Sequence, residues 1–310
     1  LDLRNNPGGL VSEAVELVGL FVPKGTMVVS IQGRDENRTQ RYATENDPLM
    51  PDIPVIVLVN EFSASASEIV SGALQDLDRA VIVGQTTFGK GLVQVGKSLP
   101  YNSSMRITIG HYFTPGGRDL QSRRIASRSA EISRPSVQNY RTASGRPVRT
   151  GVGIEPDVPI AAPDHGELHR ALLRNGAYFR FAGDWILDKG LPVQLDVLYE
   201  SFATWLERSG FSYTTEAEKS LARASSSVAA DWDSSILESI ERAKEGIESQ
   251  KRMALQKSGS DLSETVMAEV QSRLLEREEF IKARLQADDL AAKALEIALD
   301  PNRYRSIMTH

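Results

Sequence analysis

The chain of 310 residues has no cysteine, only four histidines (His111, His165, His169 and His310), and 6% aromatic residues. Without cysteine there can be no disulfide, no thiolate metal site and no cysteine nucleophile. His111 is the histidine nearest in sequence to the serine-rich stretch described below, and it sits in no recognisable triad pattern. Charge of one sign is also scarce. A net charge of −5 and a pI near 5.6 give no electrostatic reason to expect nucleic acid or an anionic membrane as partner. No apolar run approaches the roughly 20 residues of a membrane span, and no basic-then-apolar leader opens the chain. It begins instead at "LDLRNN", which reads like the interior of a domain, so a fragment or processed product is expected.

What is present fits a globular protein long enough for two domains, with 41% hydrophobic and 25% charged residues. Over residues 1–160, the runs "MVVSIQG", "IPVIVLVN", "RAVIVGQ" and "MRITIGHYF" read as strands, and "GLVSEAVELVGLF" and "SEIVSGALQDL" as helices. Continuous apolar runs such as Val55 to Val59 predict burial on both faces, hence an α/β layered core with a mostly parallel sheet. Residues 161–310 change to long polar helices. There Leu262, Val266, Val270, Leu274, Ile281 and Leu285 fall on one helical face. The Ser-rich "ARASSSVAADWDSS" is the linker candidate within this half.

The chemistry centres on two stretches. "GQTTFGKG", from Gly84 to Gly91, nearly spells a phosphate-binding loop. However, Gly91 supplies no hydroxyl for magnesium, and "GLVQVGKSL" then alternates like a strand where a phosphate loop runs into a helix. What remains is Lys90 between two glycines. "NEFSASASEIVSGALQD" places Ser63, Ser65 and Ser67 at every second position before a helix. On the residues alone, Ser65-x-x-Glu68 reads as a capping box, the serine closing a helix terminus. The competing reading makes a serine the nucleophile and Lys90 its base, the amine being kept neutral by desolvation. Gln94 lies four residues after Lys90, an even offset that returns to the same face of a strand, where its oxygen can orient the amine. In "NNPGG", Pro7 sets a turn, and Gly8 and Gly9 let backbone amides approach a substrate carbonyl. The same residues also suit a plain strand-to-helix turn.

Together "DLRNNPGG", "NEFSASASEIVSGALQDLDRAVIVGQTTFGKGLVQ" and "GIEPDV" closely resemble the carboxyl-terminal processing peptidases, or tail-specific proteases, in the family's order over about the first 160 residues. The resemblance implies a crotonase/ClpP-like protease core and a serine endopeptidase acting on protein or peptide substrates, recognised by their C-termini. It implies Ser65 as nucleophile, Lys90 as base and Gln94 as its helper, with no metal or organic cofactor. It further implies an oxyanion hole from Ala66 and from Gly8 or Gly9, between which the sequence does not choose. Asp76 matches a position tied to activity through structure, and Asp2 and Arg4 are expected to brace the glycine loop. Family members are typically exported to the periplasm or cell envelope, and usually carry further core and a PDZ domain ahead of "DLRNNPGG". The alternative is an inactive peptide-binding or scaffold fragment.

Two regions fall outside that resemblance. Residues 117–149 carry eight arginines (118, 123, 124, 128, 134, 141, 146 and 149), read either as a solvated loop or as a docking patch for an acidic partner. Aromatics for base stacking are scarce there, so no nucleic-acid role is expected. Within this insertion "YRTASGRPVR" repeats the earlier phrase "YFTPGGRDLQ". The helical half is expected either to pack on the core or to serve a homo-oligomer or adaptor. His165 and His169 stand at i, i+4, but the glutamate is misplaced for a zinc motif and no third ligand is evident, so packing is expected.

Overall fold

The structure is a computed structural model that describes residues 1–33, 39–121, 138–161, 166–189, 195–228, 234–257 and 259–309. It divides into two units, Leu1–Ala162 together with Asp288–His310, and Pro163–Ala287.

The first unit contains, in chain order, α1 (Val11–Gly19), β1 (Met27–Gln32), β2 (Gln40–Ala43), β3 (Ile56–Val59), α2 (Ala66–Asp76), β4 (Val81–Gly84), β5 (Leu92–Leu99), β6 (Ser103–Phe113), β7 (Asn139–Arg141), β8 (Pro147–Arg149) and β9 (Val158–Pro159). The strands and helices expected from the apolar patterns are all among them. β3, β4 and β9 form a parallel sheet in which Ile56 stands opposite Val81 and Val83 opposite Val158. The remaining strands pair antiparallel, as a four-stranded sheet ordered β2-β1-β6-β5 and as the β7–β8 hairpin. β3 and β4 are apolar and buried throughout, being covered on both faces. Val57, Val59 and Ile82 face a core shared with α1 and α2. Ile56, Leu58, Val81 and Val83 face the other way, against Ala294 and Ile297, which come from the far end of the chain.

In α2 every residue is buried, an unusual setting for a helix containing Ser67, Glu68, Ser71, Gln75 and Asp76. Buried polar groups are tolerated only when bonded, and each here has a partner. The Ser67 hydroxyl donates to Asn6 O at 3.0 Å, and Ser71 Oγ to Ser67 O at 2.9 Å. Gln75 Nε2 donates to Glu155 O at 2.9 Å.

Two arginines of the 117–149 segment close the C-terminal end of α2. Arg118 is 1% exposed; its Nη2 lies 2.5 Å from Asp76 Oδ1 and donates to Gln75 Oε1 at 2.9 Å. Arg146 is also buried, its Nε donating to Asp78 Oδ1 at 2.7 Å and its Nη2 to Gln75 O at 2.9 Å, with Nη1 2.9 Å from Asp157. Burial pushes the Asp157 carboxyl above its usual range, against the Arg146 charge. Positive charge suits this end of a helix, where carbonyls point outward. The two repeated phrases form the same turn. Gly117 N–H donates to Thr114 O and Gly145 N–H to Thr142 O, while Arg118 N–H and Arg146 N–H donate to the hydroxyls of Thr114 and Thr142. The expectation of a solvated or partner-facing arginine segment therefore fails for these two side chains, which are internal. Arg149 pairs with Glu155 at the surface, and Arg123, Arg124, Arg128 and Arg134 lie outside the described residues.

The second unit is inserted in the sequence of the first. It comprises α3 (Gly166–Asn175), α4 (Ala177–Lys189), α5 (Leu195–Arg208), α6 (Glu216–Ser227), α7 (Ser234–Lys257), α8 (Gly259–Leu274) and α9 (Arg277–Gln286). Its core joins Leu172, Phe181, Phe202 and Leu206 to Leu262, Val266 and Val270. The expected single stripe from 262 to 285 is split. Leu275 and Glu276 interrupt the helix, and Leu274, Ile281 and Leu285 beyond the core-forming part are exposed. The linker candidate is helical through Ser227, and residues 229–233 lie outside the described ones. His169 is buried, with Nδ1 2.9 Å from the Tyr178 hydroxyl, a packing role; His165 lies outside the described residues. After this unit α10 (Asp289–Leu299) and α11 (Pro301–Thr309) return to cover the parallel sheet of the first.

Candidate active site

Ser65 and the backbone of Lys90 meet at the N-terminus of α2. Ser65 precedes the helix with φ 58° and ψ −117°, a conformation normally left to glycine, whereas an N-cap residue is ordinarily extended. Such strain persists only where the surroundings over-determine it. The capping box exists in outline: Glu68 Oε2 accepts the Ser65 N–H at 2.9 Å. The Ser65 hydroxyl, however, makes no side-chain cap hydrogen bond, and the residue is half-buried.

Glu68 reaches further than a cap. Fully buried, its carboxylate accepts from four donors, Oε2 from Ser65 N–H and from Lys90 N–H at 2.8 Å, and Oε1 from Gly89 N–H at 2.7 Å and from the Thr87 hydroxyl at 2.5 Å. Burial pushes this carboxyl above its ordinary range, and the four hydrogen bonds oppose the shift. One carboxylate thereby fixes the start of α2 to the 87–90 loop. A strand, β5, follows that loop where a phosphate-binding loop would require a helix.

Lys90 is held by its backbone while its side chain is exposed. Among the described residues no hydrogen bond joins its amine to Ser65 Oγ or to Gln94. Gln94 is exposed on β5 and donates through Nε2 to Thr108 Oγ1 at 3.5 Å, beside a register shift between Val93 and Gln94. Lys90 itself precedes β5, so the two-residue alternation that relates side chains within a strand does not extend to it.

The glycine loop lies against Ser65. A Cβ on Gly8, whose φ is +88°, would fall 2.5 Å from Ala64 O and 2.6 Å from Ala66 N. The loop is anchored by Asn6, whose carbonyl accepts Ala64 N–H at 3.0 Å and whose Oδ1 accepts Gly8 N–H at 2.9 Å. Asn5 and Asn60 exchange two hydrogen bonds of 2.9 Å each. Ala66 opens the helix, so its N–H has no intrahelical acceptor. Arg4 donates to Asp2 through Nε and Nη2, the expected brace, and also to Asp288. Asp76 sits at the opposite end of α2, bonded to Gly116 N–H at 2.9 Å and paired with Arg118.

The sequence profile "Peptidase family S41" matches residues 1–128. Those residues are similar to peptidase family S41. A second profile, "Probable PDZ-protease, C-terminal helical domain", matches residues 168–298. The chain is similar to a carboxy-terminal-processing protease of Bartonella bacilliformis, 43% identical over 163 residues that make up 53% of this chain and 31% of that protein. It is also similar to a carboxyl-terminal-processing protease of Synechocystis sp., 39% identical over 152 residues, 46% of this chain and 35% of that one. Among solved structures, a photosystem II D1 C-terminal processing protease shares 30% identity, covers 55% of this chain and 36% of its own, and superposes with a TM-score of 0.40. The chain spans about a third of the length of the curated relatives it matches.

In this unit the pattern of motifs did not single out Glu68 as more than a capping residue, nor Thr87, Asn6 or Asp288 at all. The available signal for Glu68 was an acidic residue in a helix otherwise rich in small and apolar residues, which demands internal partners. Among the described residues no helix is long and apolar enough to cross a membrane.

Proposed function

We propose that this chain carries the catalytic part of a serine endopeptidase that cleaves protein chains, with Ser65 as nucleophile, Lys90 as general base and Gln94 as its helper. The observation that carries this reading is the strained Ser65 backbone at the head of a buried helix, with a hydroxyl not spent on capping and a carboxylate shared with the Lys90 loop. The amine of Lys90 takes the Ser65 proton as Oγ bonds to the peptide carbonyl carbon, and then hands it to the nitrogen that leaves as the C–N bond breaks. Water subsequently releases the acyl group from Ser65. Developing negative charge on the carbonyl oxygen is met by the N–H of Ala66 and by that of Gly9, since the Gly8 N–H is already given to Asn6. Gly8 supplies clearance and Asp76 acts through the α2 framework. Apo geometry with an unmade base contact is compatible with this assignment, because such contacts tighten when substrate binds. By the names of its relatives the substrate is a protein C-terminus, and the proposed compartment is the periplasm or cell envelope.

One observation favours a second reading, a peptide-binding scaffold without turnover: the Lys90 side chain is exposed and not bonded to Ser65. A fluorophosphonate probe with mass-spectrometric mapping separates the two. Stoichiometric labelling at Ser65, abolished in Ser65→Ala and strongly slowed in Lys90→Ala, is the expected result. Folded protein that stays unlabelled overturns the peptidase reading for this chain. Cleavage is expected to survive a chelator.

A further inference from the structure

The guanidinium of Arg4 is gripped from two sides. Asp2, two residues away, takes Nε at 2.9 Å and Nη2 at 2.6 Å. Asp288, 284 positions along the chain, takes Nη1 at 3.1 Å on Oδ1 and Nη2 at 2.6 Å on Oδ2. The second grip is a two-bond fork, the strongest geometry an arginine and a carboxylate can make. Both side chains are about one-fifth exposed. Burial works against the charge of Asp288, but its bonds to Arg4 and to the Ala291 N–H outweigh it and hold the carboxyl below its usual range.

Arg4 stands at the base of the glycine loop. Leu3 N–H is fixed to Leu58 O of β3 at 2.9 Å, and Asn5, Asn6 and Pro7 are exposed ahead of Gly8, which lies against Ala64 to Ala66. The fork is the place where this segment meets the C-terminal helix pair. Asp288 is the N-cap of α10, accepting Ala291 N–H at 2.9 Å. The pair has its own anchorage on the parallel sheet through Ala294 and Ile297 and through the Tyr304 hydroxyl on Val55 and Arg79. The fork is therefore not required to dock the helices.

We propose that Asp288 is a positioning residue for the glycine loop, acting through Arg4, so that the C-terminal helix pair is a working part of the Ser65 site. The assignment rests on the peptidase reading for its catalytic consequence, while the clamp itself stands on the geometry of Arg4 and Asp288. Misplacing a glycine-loop amide by even an ångström costs transition-state stabilisation without removing any reacting group.

Asp288→Asn and Asp288→Ser in the full chain test this. Both retain an N-cap acceptor for α10 and lose the charged fork. Hydrogen exchange read by mass spectrometry is expected to quicken about tenfold or more in peptides covering residues 4–9, with residues 290–309 unchanged. The maximal rate of Ser65 labelling by the fluorophosphonate is expected to fall about ten- to hundredfold, with the probe's half-saturation concentration within about twofold. Adding Arg4→Lys to Asp288→Asn should lower that rate little further, since the two act as a unit. Unchanged exchange at residues 4–9 overturns the clamp whatever the labelling shows. Faster exchange at 290–309 as well would reduce Asp288 to a structural cap and also overturn the proposal. Wild-type protein that never labels at Ser65 removes the peptidase reading, while the exchange comparison still decides whether Asp288 orders the loop.

Discussion

Ser65 and Lys90 donate their backbone N–H groups to the same oxygen of Glu68, at 2.9 Å and 2.8 Å. Residues 25 positions apart by number are thus made neighbours by a carboxylate that belongs to neither motif's chemistry. Serving four donors at once exhausts the acceptor capacity of the carboxylate. Its position inside a fully buried helix means that no water is available to replace it.

Removing that carboxylate should therefore disable the site before it unfolds the core. Glu68→Ala strands the Ser65, Gly89 and Lys90 N–H groups, and a loss of about 3–5 kcal/mol is expected from a hydrogen-bonded buried charge. Glu68→Gln is expected to be milder, about 1–3 kcal/mol, because its oxygen stays on Ser65 and Lys90 and only the Gly89 N–H, now facing an amide NH2, loses its acceptor. Urea midpoints give the two stabilities, and probe labelling at Ser65 gives the functional order, wild type over Gln over Ala. Equal labelling in all three would show that Glu68 does not organise the pair.

At the other end of α2, Asp76 and Arg118 form an ion pair with both side chains 1% exposed. A single Asp76→Ala change leaves a buried guanidinium without its counter-charge, though still bonded to Gln75 Oε1, with an expected cost of about 3–5 kcal/mol. The double variant Asp76→Ala/Arg118→Met should be more stable than the summed single effects by about 1–3 kcal/mol. Denaturant titration of the four proteins measures this coupling. Additive costs would mean that the two charges do not depend on each other.

The sequence alone showed where the parallel strands are, since a run such as Ile56 to Val59 can be apolar throughout only if both faces are covered. It did not show what covers the second face, because Ala294 and Ile297 come from helices that look like any amphipathic surface helix. The serine and lysine motifs were legible through spacing and glycine context. Glu68 was read as a cap because Ser65-x-x-Glu68 is the capping-box pattern, and only the fold brings Gly89 and Lys90 onto the same carboxylate. Arg118 and Arg146 were hidden inside a charge-rich segment whose composition says solvent. Their burial follows from pairing with Asp76, Asp78 and Asp157, contacts that a linear reading cannot see.

Gly8 offers a sharper test of the loop. An added methyl would meet backbone atoms of Ala64 and Ala66 at 2.5 Å and 2.6 Å, in a residue with φ of +88°, and neither atom can yield as a flexible side chain would. Gly8→Ala is expected to fold, with Ser65 labelling lowered about a hundredfold. Gly9→Ala, where an added Cβ meets nothing within 4 Å, should label far closer to wild type. Near-normal labelling of Gly8→Ala would mean that the loop does not press on Ser65 in solution.

The last expectation concerns pH and His111. Its Nδ1 lies 3.0 Å from Asp119 Oδ2. The hydrogen bond to Asp119 raises the imidazole above its ordinary value, burial opposes this, and the Asp119 charge adds to the rise. Asp119 Oδ1 accepts the Gln121 N–H at 2.8 Å, and Gln121 Oε1 accepts the Gly91 N–H at 3.0 Å, next to Lys90. A group with a raised folded value contributes stability that is complete below its unfolded value, about 6.5 for histidine. That contribution is lost as pH rises through the higher folded value. Wild type should therefore exceed His111→Gln in urea midpoint most at mildly acidic pH, with the gap narrowing above neutrality. A gap that stays constant from pH 5.5 to 8.5, on the order of the window in which histidine titrates, would show that the pair does not form in solution.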